Sequence, residues 1–185
     1  ALRRLPVLIS STNMLTCAED LGMIPDCVPE VLRNLRMLSL EIFRMSKDPE
    51  KAFGDPAHYP YLSVCTTGTH DTSTLRAWWE EDRSASTRFW HEMLHESGEP
   101  PYYCEPWLCE KILRLHTSSP SMLTILPLQD WLSIDGSIRA QDPASERINV
   151  PSNPRHYWRY RMHLSLEELT ANEAFNGMIK SLTEA

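Results

Sequence analysis

Two clusters of chemically active side chains, Glu19–Asp20 and His70–Asp71, each follow a short apolar run in this 185-residue chain. Carboxyl groups on both sides of a glycosidic bond can act as general acid and as base or nucleophile, so the clusters suit glycosyl transfer. Carboxylate oxygens also bind hard cations. Asp20 and Asp71 could equally be helix N-caps, because Asp is common where a strand turns into a helix. The residues alone leave all three interpretations open.

A different chemistry is suggested by the pattern H-E-x-x-H at 91–95. On a helix, His91 and His95 would lie one turn apart and could bind zinc, with Glu92 as general base. The extended pattern needs a third His at position 101, where the chain has Pro101. So short a pattern also arises by chance on a polar helix face. We therefore predict no metal site and no cofactor, and keep zinc-dependent hydrolysis as an alternative function.

The elements that must position these residues alternate between strands and helices, which predicts an α/β fold. Strands are predicted at 13–18, 38–43, 61–66 and 122–126, and helices at 26–37 (with Asp26 as N-cap), 73–82, 84–97, 105–116 and 165–183. Strands separated by helices pair in parallel, and functional residues then follow the carboxyl ends of the strands. Glu19 and Asp71 should therefore share one cleft, with their carboxyl groups within about 10 Å.

Composition and charge narrow the possible partners. The formal net charge of −7 and the pI of about 5.5 disfavour nucleic acid, because phosphate contacts need clustered Lys and Arg. No apolar run approaches the roughly 20 residues of a membrane helix, so no membrane partner is predicted. The five cysteines fit no disulfide framework, which favours reduced thiols and a cytoplasmic location.

Five short blocks, in the same order, resemble those of the amylomaltase and disproportionating-enzyme family of 4-α-glucanotransferases. They are AEDLG at 18–22, TGTHD at 67–71 with two tryptophans at 78–79, PLQD at 127–130, RINVP at 147–151 and WRYR at 158–161. The segment 153–161 resembles the plant-type cytosolic branch in particular. Residue 72 is Thr, where the wider family often has Asn, and this difference puts an active-site contact at that position in doubt.

The resemblance implies a (β/α)8 TIM barrel, of which residues 1–185 would form the C-terminal part, about strands five to eight. The N-terminal half of the barrel, and the starch-binding modules usual in the cytosolic type, are expected to lie outside this chain. The implied reaction is retaining transfer of α-1,4-glucosyl units in starch and maltose metabolism. Its substrates would be maltose, malto-oligosaccharides or a heteroglycan.

The resemblance also assigns roles to individual residues. Glu19 would be the acid/base, with a pKa raised by an apolar strand end, and Asp71 the transition-state stabiliser. His70 would bind sugar hydroxyls, and Asp20 is a further candidate for substrate contact. The family's nucleophile is an Asp on an earlier strand, and the residues before Glu19 include neither Asp nor Glu. A polypeptide of residues 1–185 alone is therefore expected to be inactive, which leaves a non-catalytic carbohydrate-binding role as another alternative.

Several further side chains have two interpretations. Sugar rings stack on aromatic rings, but aromatic side chains also fill helix-packing cores. The residues concerned are Trp78, Trp79, Trp90, Tyr102, Tyr103 and Trp107. Asn149, Arg155 and Arg159 could contact a glucan or hold the last loop, and no firm role is predicted for them.

Overall fold

A computed structural model describes residues 1–184, which separate into two compact units. The first unit comprises residues 1–66 and 119–125, and the second comprises 67–118 and the chain from Leu126 onward. Glu19 belongs to the first unit and Asp71 to the second. The shared cleft predicted for these two residues therefore stays a prediction, and the surroundings of each are described within its own unit.

The first unit contains a parallel sheet with strand order β1–β2–β3. The strands are β1 (Ser39–Ile42), β2 (Ser63–Thr66) and β3 (Leu123–Thr124). All four residues of β2 are buried, as expected for a central strand of a parallel sheet. The predicted parallel pairing is confirmed. The strand predicted at 122–126 is reduced to two residues. Its apolar side chains Leu123 and Ile125 are exposed, so burial of these side chains does not stabilise a longer strand.

The prediction of a buried strand at 13–18 is wrong. Its segment forms only an isolated parallel bridge, between Cys17 and Leu38. Met14 and Leu15 are 77% and 56% exposed, and Cys17 is exposed as well. Apolar side chains stabilise a buried strand when both of its faces are covered. The described residues leave these side chains uncovered.

The first unit also contains two helices, α1 (Leu5–Ser10) and α2 (Val28–Leu35). Helix α1 was not predicted, and α2 is shorter than the helix predicted at 26–37. Asp26 is not its N-cap: Cys27 occupies that position without a side-chain cap, and Pro29 presets the backbone of the first turn. The helix ends where Arg36 adopts a left-handed conformation, with φ of 52°.

The second unit is helical, and its core is formed by fully buried side chains such as Trp79, Phe89 and Leu113. Its helices are α3 (Leu75–Glu81), α4 (Arg83–Glu92), α5 (Pro106–Thr117), α6 (Leu128–Leu132), α7 (Leu166–Ala171) and α8 (Glu173–Thr183). Within residues 1–184, no helix is long and apolar enough to cross a bilayer.

Three features of the second unit differ from the prediction. Helix α4 ends at Glu92 rather than at 97, and the short helix α6 was not predicted. The single helix predicted at 165–183 is two helices, because the side chain of Asn172 accepts a hydrogen bond from Phe175 N and caps α8. An Asn side chain bonded to the backbone in this way starts a new helix instead of continuing the old one.

Candidate functional site

Glu19 lies in the irregular segment that follows the Cys17–Leu38 bridge, and its side chain is exposed. An apolar strand end was expected to surround this carboxyl group. That surrounding is not found, because Cys17 and Leu15, which precede Glu19, are themselves exposed. The carboxyl group is accessible to a substrate but is not desolvated by its own unit. An acid/base role for Glu19 stays a prediction.

Asp20, in contrast, is only 6% exposed and has strong partners within the first unit. Its Oδ1 accepts a hydrogen bond from the Leu40 backbone at 2.8 Å, and its Oδ2 accepts one from Lys47 Nζ at 2.8 Å. Lys47 Nζ also donates to Glu41 Oε1 at 2.8 Å. These charged groups line part of a cavity of about 330 Å³ beside α2. Asp20 thus ties the segment that contains Glu19 to β1, and substrate contact by Asp20 stays a prediction.

His70 and Asp71 lie on a tight turn in the second unit. The hydroxyl of Thr72 closes it by donating to Thr69 O and accepting from Thr69 N, both at 3.0 Å. This position, where the wider family often has Asn, therefore holds the backbone of the turn. The side chains of His70 and Asp71 are 50% and 48% exposed, and His70 Nε2 lies 3.4 Å from Asp71 Oδ1.

Two residues from a later part of the second unit complete this site. Asn149 Nδ2 donates to Asp71 Oδ1 at 2.6 Å, and Asn149 N donates to His70 O at 3.1 Å. The Trp158 indole lies 4.8 Å from the His70 ring, centroid to centroid, and is 61% exposed. We call His70, Asp71, Asn149 and Trp158 the Asp71 cluster. A sugar could stack its apolar face on Trp158 while its hydroxyls bond to the carboxylate and the imidazole.

Asp130 supports this cluster from the core, although no role was predicted for it. It is fully buried, and its Oδ2 accepts a hydrogen bond from Thr67 Oγ1. Its Oδ1 accepts from the backbone N–H of Leu75 at 2.8 Å. Both ends of the segment 67–75, which includes His70 and Asp71, are thus bonded to one carboxylate.

Asp130→Ala should lower the free energy of unfolding of the chain by about 3 kcal/mol, because two buried donors lose their acceptor at about 1–3 kcal/mol each. Asp130→Asn should cost less, since an amide oxygen can still accept from Leu75 N. Urea unfolding followed by circular dichroism measures both changes. Glu99→Ala, at an exposed position, is the control and should change stability by less than about 0.5 kcal/mol. Equal stability of the Asp130→Ala and control variants would contradict the role of Asp130.

The pattern at 91–95 does not form the zinc-binding helix face that the alternative function requires. Helix α4 ends at Glu92, and His95 lies beyond it in a left-handed conformation with φ of 55°. His91 Nδ1 bonds to Glu96 O at 2.9 Å, and Glu92 pairs with Arg88 at 2.6 Å. In the part of the chain that the structure describes, no three His, Cys, Asp or Glu side chains are grouped to hold a metal. The zinc-hydrolase alternative therefore lacks the helical geometry on which it rested.

The six aromatic side chains with two interpretations divide between core and surface. Trp79 and Trp90 are buried, Trp78 is half-buried, and Tyr102, Tyr103 and Trp107 are exposed by 59%, 59% and 50%. The aromatic ring beside His70 is instead that of Trp158, for which no individual role was predicted.

A comparison with protein families matches residues 3–167 to glycoside hydrolase family 77, described as 4-alpha-glucanotransferase. The chain is 43% identical over 182 residues to 4-alpha-glucanotransferase DPE2 of Oryza sativa subsp. japonica, covering 98% of this chain and 19% of that protein. It is 32% identical over 181 residues to the 4-alpha-glucanotransferase of Chlamydia muridarum, covering 95% of this chain and 33% of that protein. The chain thus spans between a fifth and a third of the length of these relatives.

Solved structures show the same fold. Amylomaltase from Streptococcus agalactiae, in complex with acarbose, aligns with a TM-score of 0.66 at 22% identity, over 90% of this chain and 30% of that one. Amylomaltase from Corynebacterium glutamicum aligns with a TM-score of 0.62 at 14% identity, over 91% of this chain and 28% of that one. The α/β fold with its small parallel sheet therefore resembles part of the amylomaltase fold.

Proposed function

Because the chain belongs to glycoside hydrolase family 77, the 4-α-glucanotransferases, we propose that it is part of a catalytic domain that transfers α-1,4-glucosyl units. The proposed substrates are maltose, malto-oligosaccharides or a heteroglycan. The acarbose bound by the amylomaltase of Streptococcus agalactiae supports a ligand of this class. The zinc-dependent alternative has no comparable support.

The Asp71 cluster is the observation that supports this function best. Asn149 holds the half-exposed carboxylate of Asp71 in one orientation, and Trp158 presents an exposed ring beside it. A glycosyl transferase needs both features, because a carboxylate stabilises the positive charge of an oxocarbenium-like transition state and an aromatic plate orients the sugar.

The proposed mechanism is a retaining double displacement. Glu19 protonates the leaving glycosidic oxygen and then removes the proton from the acceptor hydroxyl. Asp71 stabilises the transition state, while His70 and Asp20 contact the substrate. By the resemblance to the family, the attacking carboxylate is proposed to be an Asp on a barrel strand earlier than Glu19, and residues 1–18 hold neither Asp nor Glu. Residues 1–185 alone would then form no covalent intermediate and complete no turnover.

The proposed barrel assignment places the 17–18 segment, β1, β2 and β3 at strands five to eight of a TIM barrel. The parallel pairing of successive segments supports this order. Residues 1–185 would be its C-terminal part. Active sites of such barrels lie at the carboxyl ends of the strands, where Glu19 and Asp71 follow their segments in sequence.

The proposed location is the cytoplasm, and the cysteines support it. All five are free thiols. Cys104 and Cys109 are buried with their sulfur atoms 3.3 Å apart, and burial raises the pKa of the Cys104 thiol. Free thiols are usual in a reducing compartment, where disulfides are rare.

The proposed function predicts that a polypeptide of residues 1–185 binds acarbose through the Asp71 cluster without releasing glucose from maltose. Acarbose titrated into ¹⁵N-labelled protein should shift the NMR signals of His70, Asn149 and the Trp158 indole. Trp158→Ala should weaken binding by about 1 kcal/mol, or roughly fivefold, because the stacking surface is lost.

Trp107→Ala is the matched control for this experiment, since Trp107 is similarly exposed and lies beside Trp90 rather than in the Asp71 cluster. It should leave acarbose binding unchanged. Shifts confined to signals around Trp107, or release of glucose at a normal rate by the purified polypeptide, would contradict the proposed assignment of the site.

A further inference from the structure

Asn149, which orients the Asp71 carboxylate, is itself held by a neighbouring arginine. Nε of Arg147 donates a hydrogen bond to the backbone carbonyl of Asn149 at 3.0 Å. Nη1 of the same guanidinium group donates to Oε1 of Glu81, the last residue of α3, at 3.3 Å. All four residues belong to the second unit, and the proposed mechanism assigns no role to Arg147 or to Glu81.

The backbone of Arg147 starts from a fixed position in the second unit. Arg147 follows the 3₁₀ helix Pro143–Glu146, and its N–H donates to Ala144 O at 3.3 Å. Glu146, the last residue of that helix, is buried, and its Oε2 lies 3.7 Å from Nη1 of Arg76 in α3. Helix α3 is therefore contacted near both of its ends, by Glu146 in the core and by Arg147 nearer the surface.

These contacts form a closed path through the candidate site. Helix α3 begins four residues after Asp71 and ends at Glu81, which Arg147 joins to Asn149. Asn149 completes the path by donating from Nδ2 to Asp71 Oδ1 at 2.6 Å and from its backbone N–H to His70 O at 3.1 Å. A planar guanidinium group has donors in fixed directions, so its two acceptors together determine its orientation.

We propose that Arg147 is a positioning residue for Asp71: its guanidinium group fixes the backbone of Asn149 relative to α3 and so holds the Asn149 amide against the Asp71 carboxylate. The structural part of this proposal stands alone, and its consequence for catalysis rests on the proposed function. A carboxylate stabilises a transition state best when its orientation is set before the reaction, because no free energy is then spent on reorienting it.

A second contact holds the same segment without involving α3. His156 Nε2 lies 2.9 Å from Ile148 O, and both residues belong to the irregular chain between the 3₁₀ helix and α7. Loss of the Arg147 side chain should therefore loosen Asn149 without releasing the whole segment. The side chains of Arg147 and Glu81 are 27% and 52% exposed. Pairs this exposed contribute little, so removing Glu81 should have a smaller effect than removing Arg147.

Hydrogen–deuterium exchange, resolved to single amides, tests the structural part in a full-length family 77 enzyme that includes this segment. The backbone N–H of Asn149 is protected by its bond to His70 O. It should exchange about tenfold faster in Arg147→Ala, because a hydrogen bond from a charged group is lost. Glu81→Ala should accelerate this exchange by about threefold.

Glu99→Gln, at an exposed carboxyl group of the same unit, is the control and should leave the exchange of Asn149 unchanged. Unchanged exchange of Asn149 in Arg147→Ala overturns the proposal. Exchange that is equally faster throughout the second unit also overturns it, because Arg147 would then support the fold in general and not the position of Asn149.

A double-mutant cycle on kcat tests the catalytic part in the same enzyme. Arg147→Ala should lower kcat for glucosyl transfer about tenfold at unchanged KM, because Asp71 acts in the transition state. In an Asn149→Ala background, where the amide is already lost, Arg147→Ala should lower kcat by less than about twofold. An equal loss in both backgrounds overturns the proposal, because Arg147 would then affect catalysis without acting through Asn149.

Further variants keep the proposal falsifiable and separate from the proposed function. If Arg147→Ala folds poorly, the exposed position Glu81 decides: unchanged exchange of Asn149 in Glu81→Ala overturns the proposal. Glu81→Gln should recover part of the loss, because its amide oxygen can still accept from Arg147. Absence of any glucosyl transfer by the unsubstituted enzyme overturns the proposed function and leaves the exchange result intact.

Discussion

Glu19→Gln should lower the rate of glucosyl transfer from maltose by about 10²–10⁴-fold in a full-length family 77 enzyme that includes this segment. Gln keeps the size of the side chain and removes the proton that the leaving glycosidic oxygen needs. In a glucosyl or maltosyl fluoride, the fluoride ion departs without protonation. The loss of rate measured for formation of the glycosyl-enzyme should therefore nearly vanish with that donor. The comparison of the two donors is made by single-turnover kinetics.

Glu30→Gln is a suitable control for this experiment, because Glu30 is an exposed carboxyl group of the same unit, in the first turn of α2. It should transfer glucosyl units at the normal rate. If Glu19→Gln loses as much activity with the fluoride as with maltose, its defect is not one of proton donation. Near-normal transfer from maltose would remove Glu19 from the mechanism.

The sheet and most helices could be predicted from the sequence because local patterns determine them. Strand β2 is buried along its whole length and β1 is buried at both of its ends, so both became parallel strands as predicted. The apolar run at 13–18 looks the same in sequence, yet Met14 and Leu15 are exposed. Periodicity identifies residues that could be buried, but it does not show whether another part of the chain covers them.

Helix boundaries were less predictable because single side chains decide them. Asn172 divides the C-terminal helical region by bonding to Phe175 N, and Arg36 ends α2 through a left-handed backbone. The end of α4 at Glu92 also removed the geometry of the zinc pattern at 91–95. A pattern such as H-E-x-x-H predicts a metal site only where the helix extends over all of its residues.

The candidate site was predicted in part. The residues of the turn, His70 and Asp71, were selected from the block at 67–71 and are half-exposed, and their contact with substrate stays a prediction. Their partners could not be assigned in advance, because Asn149 lies 78 residues after Asp71 and Asp130 lies 63 residues after Thr67. Contacts at such separations depend on tertiary packing, and no local spacing encodes them.

Asp71→Asn should lower kcat by about 10²–10³-fold in the same full-length enzyme, because the variant loses the negative charge that faces the developing oxocarbenium ion. The amide oxygen can still accept the hydrogen bond from Asn149 Nδ2, so the turn should keep its geometry. KM for maltose should change little, whereas affinity for acarbose, whose amine resembles that charge, should fall markedly.

A fluoride donor distinguishes this defect from that of Glu19→Gln, because positive charge develops at the sugar whichever group leaves. The loss in Asp71→Asn should therefore persist with glucosyl fluoride. Glu99→Gln, at an exposed carboxyl group of the same unit, is the control and should retain full activity and acarbose affinity. Recovery of Asp71→Asn with the fluoride would show that Asp71 assists the leaving group. Unchanged acarbose affinity would show that it does not stabilise the transition state.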